Sequence, residues 1–300
     1  MKSSYYKYFA ALLLFGSNGI VASNINLPSY EIVLLRLLLG SLFLITVFTV
    51  SRQRFTFYRN KHTCLYLFIS ASAMGASWML LYEAYQQVGI SIASLAYYCG
   101  PVIVMILSPF LFRETLTWPK IAGFLTVLAG MCLVNLQALD EGKTIWGLFC
   151  GLMSAFMYAL MVTANKKAKP ESGLENSLLQ LVIGSFIVVA FVSMQKNFVL
   201  SLTTIDWIPV LLLGLLNTGI GCYLYFSSIT DLPVQTVAIC GYLEPLSAVV
   251  FSVLFLHEVL LPLQMLGAVL ILGGAIFGEC FNPEKQQLSL IHISEPTRRS

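Results

Sequence analysis

Ten long apolar runs, separated only by short polar or Pro/Gly punctuation, occupy nearly the whole chain: roughly 5–22, 30–50, 64–85, 91–112, 119–137, 145–164, 176–195, 207–228, 234–256 and 262–280. A helix needs about 20 apolar residues to cross the hydrocarbon core of a bilayer, and each run approaches or reaches that length. A water-soluble fold of 300 residues could not hide so much apolar surface, with 58% of residues hydrophobic and 10% charged; soluble domains carry about 25% charge. Mean hydropathy is +0.82. The same balance excludes a disordered chain, a collagen-like fibre and a disulfide-stapled secreted scaffold, and leaves no room for a sizeable soluble domain. The periods are helical and the runs too long for strands, without the short alternating segments of a membrane barrel. The chain is therefore expected to be an all-α membrane protein of about ten transmembrane helices.

A net charge of +3 is too small to argue for a nucleic-acid partner. The seven cysteines are scattered, mostly inside apolar runs, with no CxxC pair. They read as small packing residues, so neither a metal site nor a disulfide framework is expected, and no cofactor is implied. The run from Tyr8 to Ala22 ends in small residues like a signal peptide, but the repeat described below needs it as a span. The stretch 288–300, with Ile-His-Ile-Ser-Glu-Pro-Thr-Arg-Arg-Ser, resembles translated sequencing adapter and is read as a non-native tail, so the native C-terminus is not read from residues beyond about 287.

Ten spans put both termini on one side. Lys/Arg asymmetry assigns that side to the cytoplasm. Twelve basic residues fall in that set (Lys2, Lys7, Arg52, Arg54, Arg59, Lys61, Arg113, Lys120, Lys166, Lys167, Lys169 and Lys285) against two, Lys143 and Lys196, on the other. The expected location is a bacterial-type cytoplasmic (inner) membrane, multi-pass, with the lipid bilayer as surroundings. A monomer and a homodimer fit equally well.

A single offset of 144 residues relates the two halves. It pairs Pro101 with Pro245, Tyr98 with Tyr242, Ser108 with Ser252, Glu114 with Glu258, Gly123 with Gly267 and Gly130 with Gly274. Earlier in the chain it pairs Glu31 with Glu175, Gly40 with Gly184, Ser41 with Ser185, and Arg36 with Gln180. The unit is about five helices. Five is odd, so the second copy enters the membrane from the opposite side: two inverted five-helix repeats, an architecture of secondary transporters. Two similar halves, one upside down, give two near-equal conformations that expose a midplane site to one side and then the other.

This pattern resembles the drug/metabolite transporter superfamily, specifically its tandem EamA-type members, over almost the whole chain to about Gly278. The residues that carry it are Arg36 within Leu34-Leu35-Arg36-Leu37-Leu38, Pro101 followed by Arg113-Glu114 and Gly123…Gly130, then Leu243-Glu244-Pro245 followed by His257-Glu258 and Gly267…Gly274. Two departures stand out: Phe15-Gly16 where the family often has Trp-Gly, and Gln180 opposite Arg36. The resemblance implies a first repeat over 1–138, a second over 145–280, and export of a small-molecule solute.

Within the spans, Glu244 is the sharpest candidate. A carboxylate at mid-span costs about 2.5–3.5 kcal/mol on insertion scales, so it faces the bundle interior or is protonated. There it binds a solute ammonium, carries a proton, or bonds a freed carbonyl or a tyrosine. Polar and aromatic residues deep in the spans are candidate cavity lining: Asn18, Ser77, Trp78, Tyr82, Tyr97, Tyr98, Tyr158, Asn217, Tyr223 and Tyr242. Most aromatics in a membrane bundle are packing, so only part of this set is expected on a pathway. Pro101 and Pro245 each remove an N–H and free the carbonyl four residues earlier, Tyr97 or Gly241; they are hinge or kink candidates. Glu114 and Glu258 lie just before helix starts and read as structural caps. Arg36, about a turn and a half into its span, is expected to snorkel or to pair with Glu31; the resemblance makes it a fold-level position, so a structural role leads and anion steering is the minority reading. Gly147, Gly151 and Ala155 form a small-residue stripe suited to close helix packing.

The leading function is secondary transport, by alternating access, of small metabolites or amino-acid-like solutes with an apolar side group. No Walker A motif marks ATP as the energy source. A polytopic membrane enzyme is the alternative, but His257-Glu258-Val259-Leu260-Leu261 lacks the second histidine of a zincin and no GxSxG elbow or paired-aspartate cluster occurs. A non-transporting membrane partner is the third reading, without a soluble signalling domain to receive its output.

Overall fold

The computed structural model describes residues 2–134, 145–194, 207–256 and 262–280. These residues are helices joined by short turns, with no strand among them. The first repeat comprises α1 (Lys2–Gly16), α2 (Asn18–Ser23), α3 (Ser29–Val50), α4 (Lys61–Tyr97), α5 (Cys99–Phe112) and α6 (Trp118–Val134). The second comprises α7 (Ile145–Ala168), α8 (Gly173–Ser193), α9 (Trp207–Leu211), a π-helical segment Leu212–Ile220, α10 (Gly221–Ile229), α11 (Val234–Gly241), α12 (Leu243–Leu256) and α13 (Pro262–Cys280). Six stretches among the described residues are long and apolar enough to cross a membrane unaided, and Cys99–Phe112, Trp118–Leu133 and Pro262–Gly278 are shorter apolar helices. The outer surface is apolar, with Phe110, Phe186, Phe255 and Val269 each more than 60% exposed. Such a surface suits lipid as solvent, not water.

The long helix α4 differs from its sequence expectation. The runs 64–85 and 91–112 read as separate spans, yet helical hydrogen bonding continues through Lys61–Tyr97. The contacts show two arms. Ser70 donates to the Met161 carbonyl and Ser77 to the Ser154 carbonyl, both at 2.9 Å, so the first arm runs antiparallel to α7. The open side of Gly151 faces Ala84, Ala93 and Ala96 together, and that of Gly100 faces Ala155 and Tyr158, so the second arm runs parallel to α7. In a straight helix Ala84 and Ala93 would lie roughly 13 Å apart. The chain therefore bends sharply back between them, and the two expected spans are both present. The small-residue stripe on α7 is what admits both arms: Gly151 packs within the monomer.

The inversion is visible where equivalent positions meet. Gly123 lies against Gly274, and Gly130 against Gly267; a methyl added at Gly130 would come within 2.6 Å of the Gly267 carbonyl, and one at Gly274 within 2.6 Å of the Gly123 carbonyl. The crossed order means that α6 and α13, equivalent helices of the two repeats, pack antiparallel. Ser41 and Ser185, also equivalent, meet oxygen to oxygen at 3.0 Å. Gly75 faces Ile187 while Gly219 faces Phe43, the same pair of positions with the repeats exchanged.

The prolines do not sit in mid-helix. Pro101 and Pro245 occupy the third position of α5 and α12, a first turn where no N–H is needed. The interruption falls three residues earlier, at Tyr98 (φ −69°, ψ −2°) and Tyr242 (φ −71°, ψ −5°), where ψ leaves the helical value. The Tyr242 hydroxyl donates to the Tyr98 carbonyl at 2.7 Å, so one repeat satisfies the broken backbone of the other.

The loops near Gln53–Asn60, Arg113–Thr117, Lys169–Ser172 and Thr230–Pro233 share one end of the molecule. Glu175 accepts from Thr56 and Phe57, and the Lys166 ammonium donates to the carbonyls of Thr230 and Leu232, both at 2.5 Å. Ser4 donates to Asp231 at 2.8 Å. At the opposite end Tyr30 and the Trp146 indole both donate to the Glu83 carboxylate.

Candidate functional site

A cavity of about 660 Å³ lies between the repeats. Its wall comes from α1–α2, α3, both arms of α4, α7, α10 and α12. It reaches the surface at Ser23 and Gln86, both exposed, at the end opposite the basic loops. Toward the basic loops it is closed by aromatic rings. Tyr158 and Tyr225 meet hydroxyl to hydroxyl at 3.3 Å, the Tyr8 ring lies tilted against Tyr225 with ring centroids 5.6 Å apart, and Tyr8 donates to the Val237 carbonyl at 2.8 Å. Behind this plug Lys166 caps the end of α10, and Glu114 accepts from the N–H groups of Val234 (2.7 Å) and Gln235 (3.1 Å).

Two opposite charges face the cavity. Arg36 on α3 is 6% exposed. Its Nε donates to the Thr218 hydroxyl at 2.9 Å, and its guanidinium lies 4.6 Å from the Trp78 ring centroid, a cation–π arrangement. Thr218 in turn donates to the Leu213 carbonyl, five residues back, at 2.8 Å. That reach is natural to the π-helical register of this segment, so the irregular helix is what presents Thr218 to Arg36. Glu244 lies in the first turn of α12. The break at Tyr242 thus gives the carboxylate a helix N-terminus, whose dipole favours negative charge. Gly16 lets α1 approach closely here, beside the Glu244 carbonyl and Ser247. Among the described residues neither the Glu244 carboxylate nor the two terminal nitrogens of Arg36 has a hydrogen-bond partner, and the two groups form no salt bridge with each other.

The structure divides the sequence candidates. Asn18, Trp78, Tyr82, Tyr97, Tyr98, Tyr158 and Glu244 line the cavity. Asn217, Tyr223, Tyr242 and Ser77 do not. Asn217 is buried and its amide donates to the Leu14 carbonyl, Ser17 and Asn18, stitching the break between α1 and α2. Tyr223 lies under the Lys7 ammonium at 5.9 Å. Tyr242 serves the Tyr98 carbonyl, and Ser77 pairs with Ser154. Pro101 and Pro245 start helices instead of kinking them. Glu114 caps a helix of the second repeat, not the α6 that follows it. Glu258 lies outside the described residues, as do Lys143, Lys196 and the stretch 288–300. Arg36 neither snorkels nor pairs with Glu31: it turns inward to the cavity. Further lining residues not singled out in the sequence include Tyr85, Gln86, Ser94, Met161, Cys222 and Tyr225. The aromatic density near Tyr82 and Tyr97 was the available signal for Tyr85; nothing local marked Met161 or Cys222. Among the described residues no group of three or more His, Cys, Asp and Glu could hold a metal ion.

Inverted five-helix repeats around a cavity open at one end define a polytopic membrane protein built like a carrier. The EamA-like transporter family matches residues 3–136 and 145–278, and the chain belongs to that family; it is a transporter and not an enzyme. YxxF of Bacillus subtilis (strain 168), described as an uncharacterized transporter, is 27% identical over 275 residues, covering 89% of this chain and 86% of the relative. The threonine/homoserine exporter RhtA of Escherichia coli (strain K12) is 28% identical over 239 residues, covering 79% and 77%. A solved crystal structure matches with TM-score 0.80 at 16% identity, over 95% of this chain and 99% of the other, a likeness that speaks for the fold alone.

Proposed function

We propose that the chain is a secondary exporter of small amphipathic metabolites, amino-acid-like solutes among them, working by alternating access in a bacterial-type cytoplasmic membrane with both termini in the cytoplasm. The observation that carries this reading is the cavity between inverted repeats, open at one end and plugged at the other. The basic loops gather at the plugged end, which positive-inside logic places in the cytoplasm, so the conformation described is open to the exterior. The lining suits the solute class: apolar and aromatic walls with a few convergent polar groups. The name of the RhtA relative adds support for an amino-acid-like solute and for export. Glu244, as a carboxyl facing the cavity within the span, suits the carrying of the coupling proton.

Flux in proteoliposomes tests the reading. Vesicles containing the full chain and loaded with an amino-acid and metabolite mixture release at least one component faster than protein-free vesicles, and a pH gradient accelerates that release. Release equal to protein-free vesicles for the whole mixture removes the carrier function. A gradient dependence unchanged in Glu244→Gln removes the coupling role from Glu244 alone.

A further inference from the structure

We infer that Arg36 and Glu244 are the two poles of one binding site, Arg36 taking the carboxylate and Glu244 the ammonium of a zwitterionic amino acid whose side chain lies on the aromatic wall. This deepens the transport reading and rests on it. A buried charge without a partner is costly, and away from the cavity most such costs are met, the Glu31 Oε2 atom being an exception. Lys166 has carbonyl acceptors, Glu114 has two N–H donors, Glu175 has three donors, and Asn165 and Asn176 pair with each other. Arg36 and Glu244 are the exceptions on the cavity wall.

Their chemistry is complementary to a zwitterion. The guanidinium is anchored through Nε to Thr218 and by its face to Trp78, which leaves its terminal N–H fork for a carboxylate, the geometry in which arginine binds such a group through two bonds. When ionised, Glu244 offers two acceptor oxygens and no donor, so an ammonium suits it. A solute with one charge would satisfy one pole and leave the other unpaired; a zwitterion satisfies both. The pairing is asymmetric between the repeats, since Gln180 and Gly100 stand at the equivalent positions. Gln180 is fully buried and accepts from Ser70 at 3.2 Å, so the mirror site has neither charge. One zwitterion site per chain follows.

The test uses the full chain in proteoliposomes and six probes: L-leucine and L-threonine, and for each the amine lacking the carboxylate and the acid lacking the ammonium. Wild type is expected to move each amino acid at least about tenfold faster than either single-charge analogue, the loss that follows from one missing charge-assisted hydrogen bond. Arg36→Gln brings the amino acid down to the rate of its amine, Glu244→Gln brings it to the rate of its acid, and Arg36→Lys restores part of the preference. Size-exclusion profiles matching wild type establish that the variants are folded. If Arg36→Gln does not fold, Thr218→Val frees the arginine without removing it and is expected to cut the zwitterion preference several-fold. Single-charge analogues moving as fast as the amino acid, or a folded Glu244→Gln keeping the full preference, overturns the pole assignment while leaving the carrier reading intact. Wild type that moves other metabolites but none of the six probes also overturns it, whereas loss of all solute-dependent flux removes the carrier reading itself.

Discussion

The plugged end and the cavity are built from the same residue types to opposite effect. At the plugged end the charged groups have answers: Lys166 caps the end of α10, Glu114 caps the start of α11 and Asp231 meets Ser4, while Tyr8 meets the Val237 carbonyl; only single oxygens of Thr117 and Gln235 are buried there without a partner among the described residues. In the cavity the two strongest charges, Arg36 and Glu244, are left with open bonding capacity. A satisfied polar network holds helices together, and an unsatisfied one binds something else. The comparison predicts that substitutions at the plugged end cost stability, while substitutions at the cavity charges cost transport.

The largest stability effect is expected at Lys166. Lys166→Met strips the α10 terminus of its charged donor and lowers unfolding stability by about 3 kcal/mol, read by denaturant unfolding in detergent or bicelles. Tyr242→Phe leaves the Tyr98 carbonyl without its donor and costs about 1–2 kcal/mol by the same measurement. Glu114→Gln keeps the shape but removes the charge facing two helix N–H groups, and costs about 1 kcal/mol. The smallest change is expected at Glu244: Glu244→Gln, with no protein bond to lose, shifts stability by less than about 0.5 kcal/mol. A loss at Glu244 matching that at Lys166 would erase the distinction between the two regions.

The duplicated architecture was legible in the sequence because a single offset of 144 residues carries it, and long apolar runs have one outcome in a bilayer. The direction each side chain takes was not. In a soluble helix the apolar stripe marks the buried face; here the lipid-facing side is as apolar as the core, so periodicity does not separate Tyr242, which braces the backbone, from Tyr98, which lines the cavity. Arg36 was misread for a related reason: a lone charge in a span reads as snorkelling unless its partners are known, and Thr218 is 182 residues away. Asn217 and Glu114 likewise find partners some 200 and 120 residues distant. The turn-back within α4 was legible as the polar Gln86-Gln87 and Gly89 punctuation between two apolar runs, but that both arms pack on α7 was not.

Alternating access itself is tested most directly at the floor of the cavity, where Met161 lies on α7 beside the aromatic plug. In a chain freed of its other cysteines, Met161→Cys is placed in oriented vesicles and exposed to a membrane-impermeant thiol reagent from each face in turn. Alternating access requires labelling from the Ser23–Gln86 side and also, at a rate that transported solute alters, from the side of the basic loops. Labelling from one face alone, whatever solute is present, would contradict it.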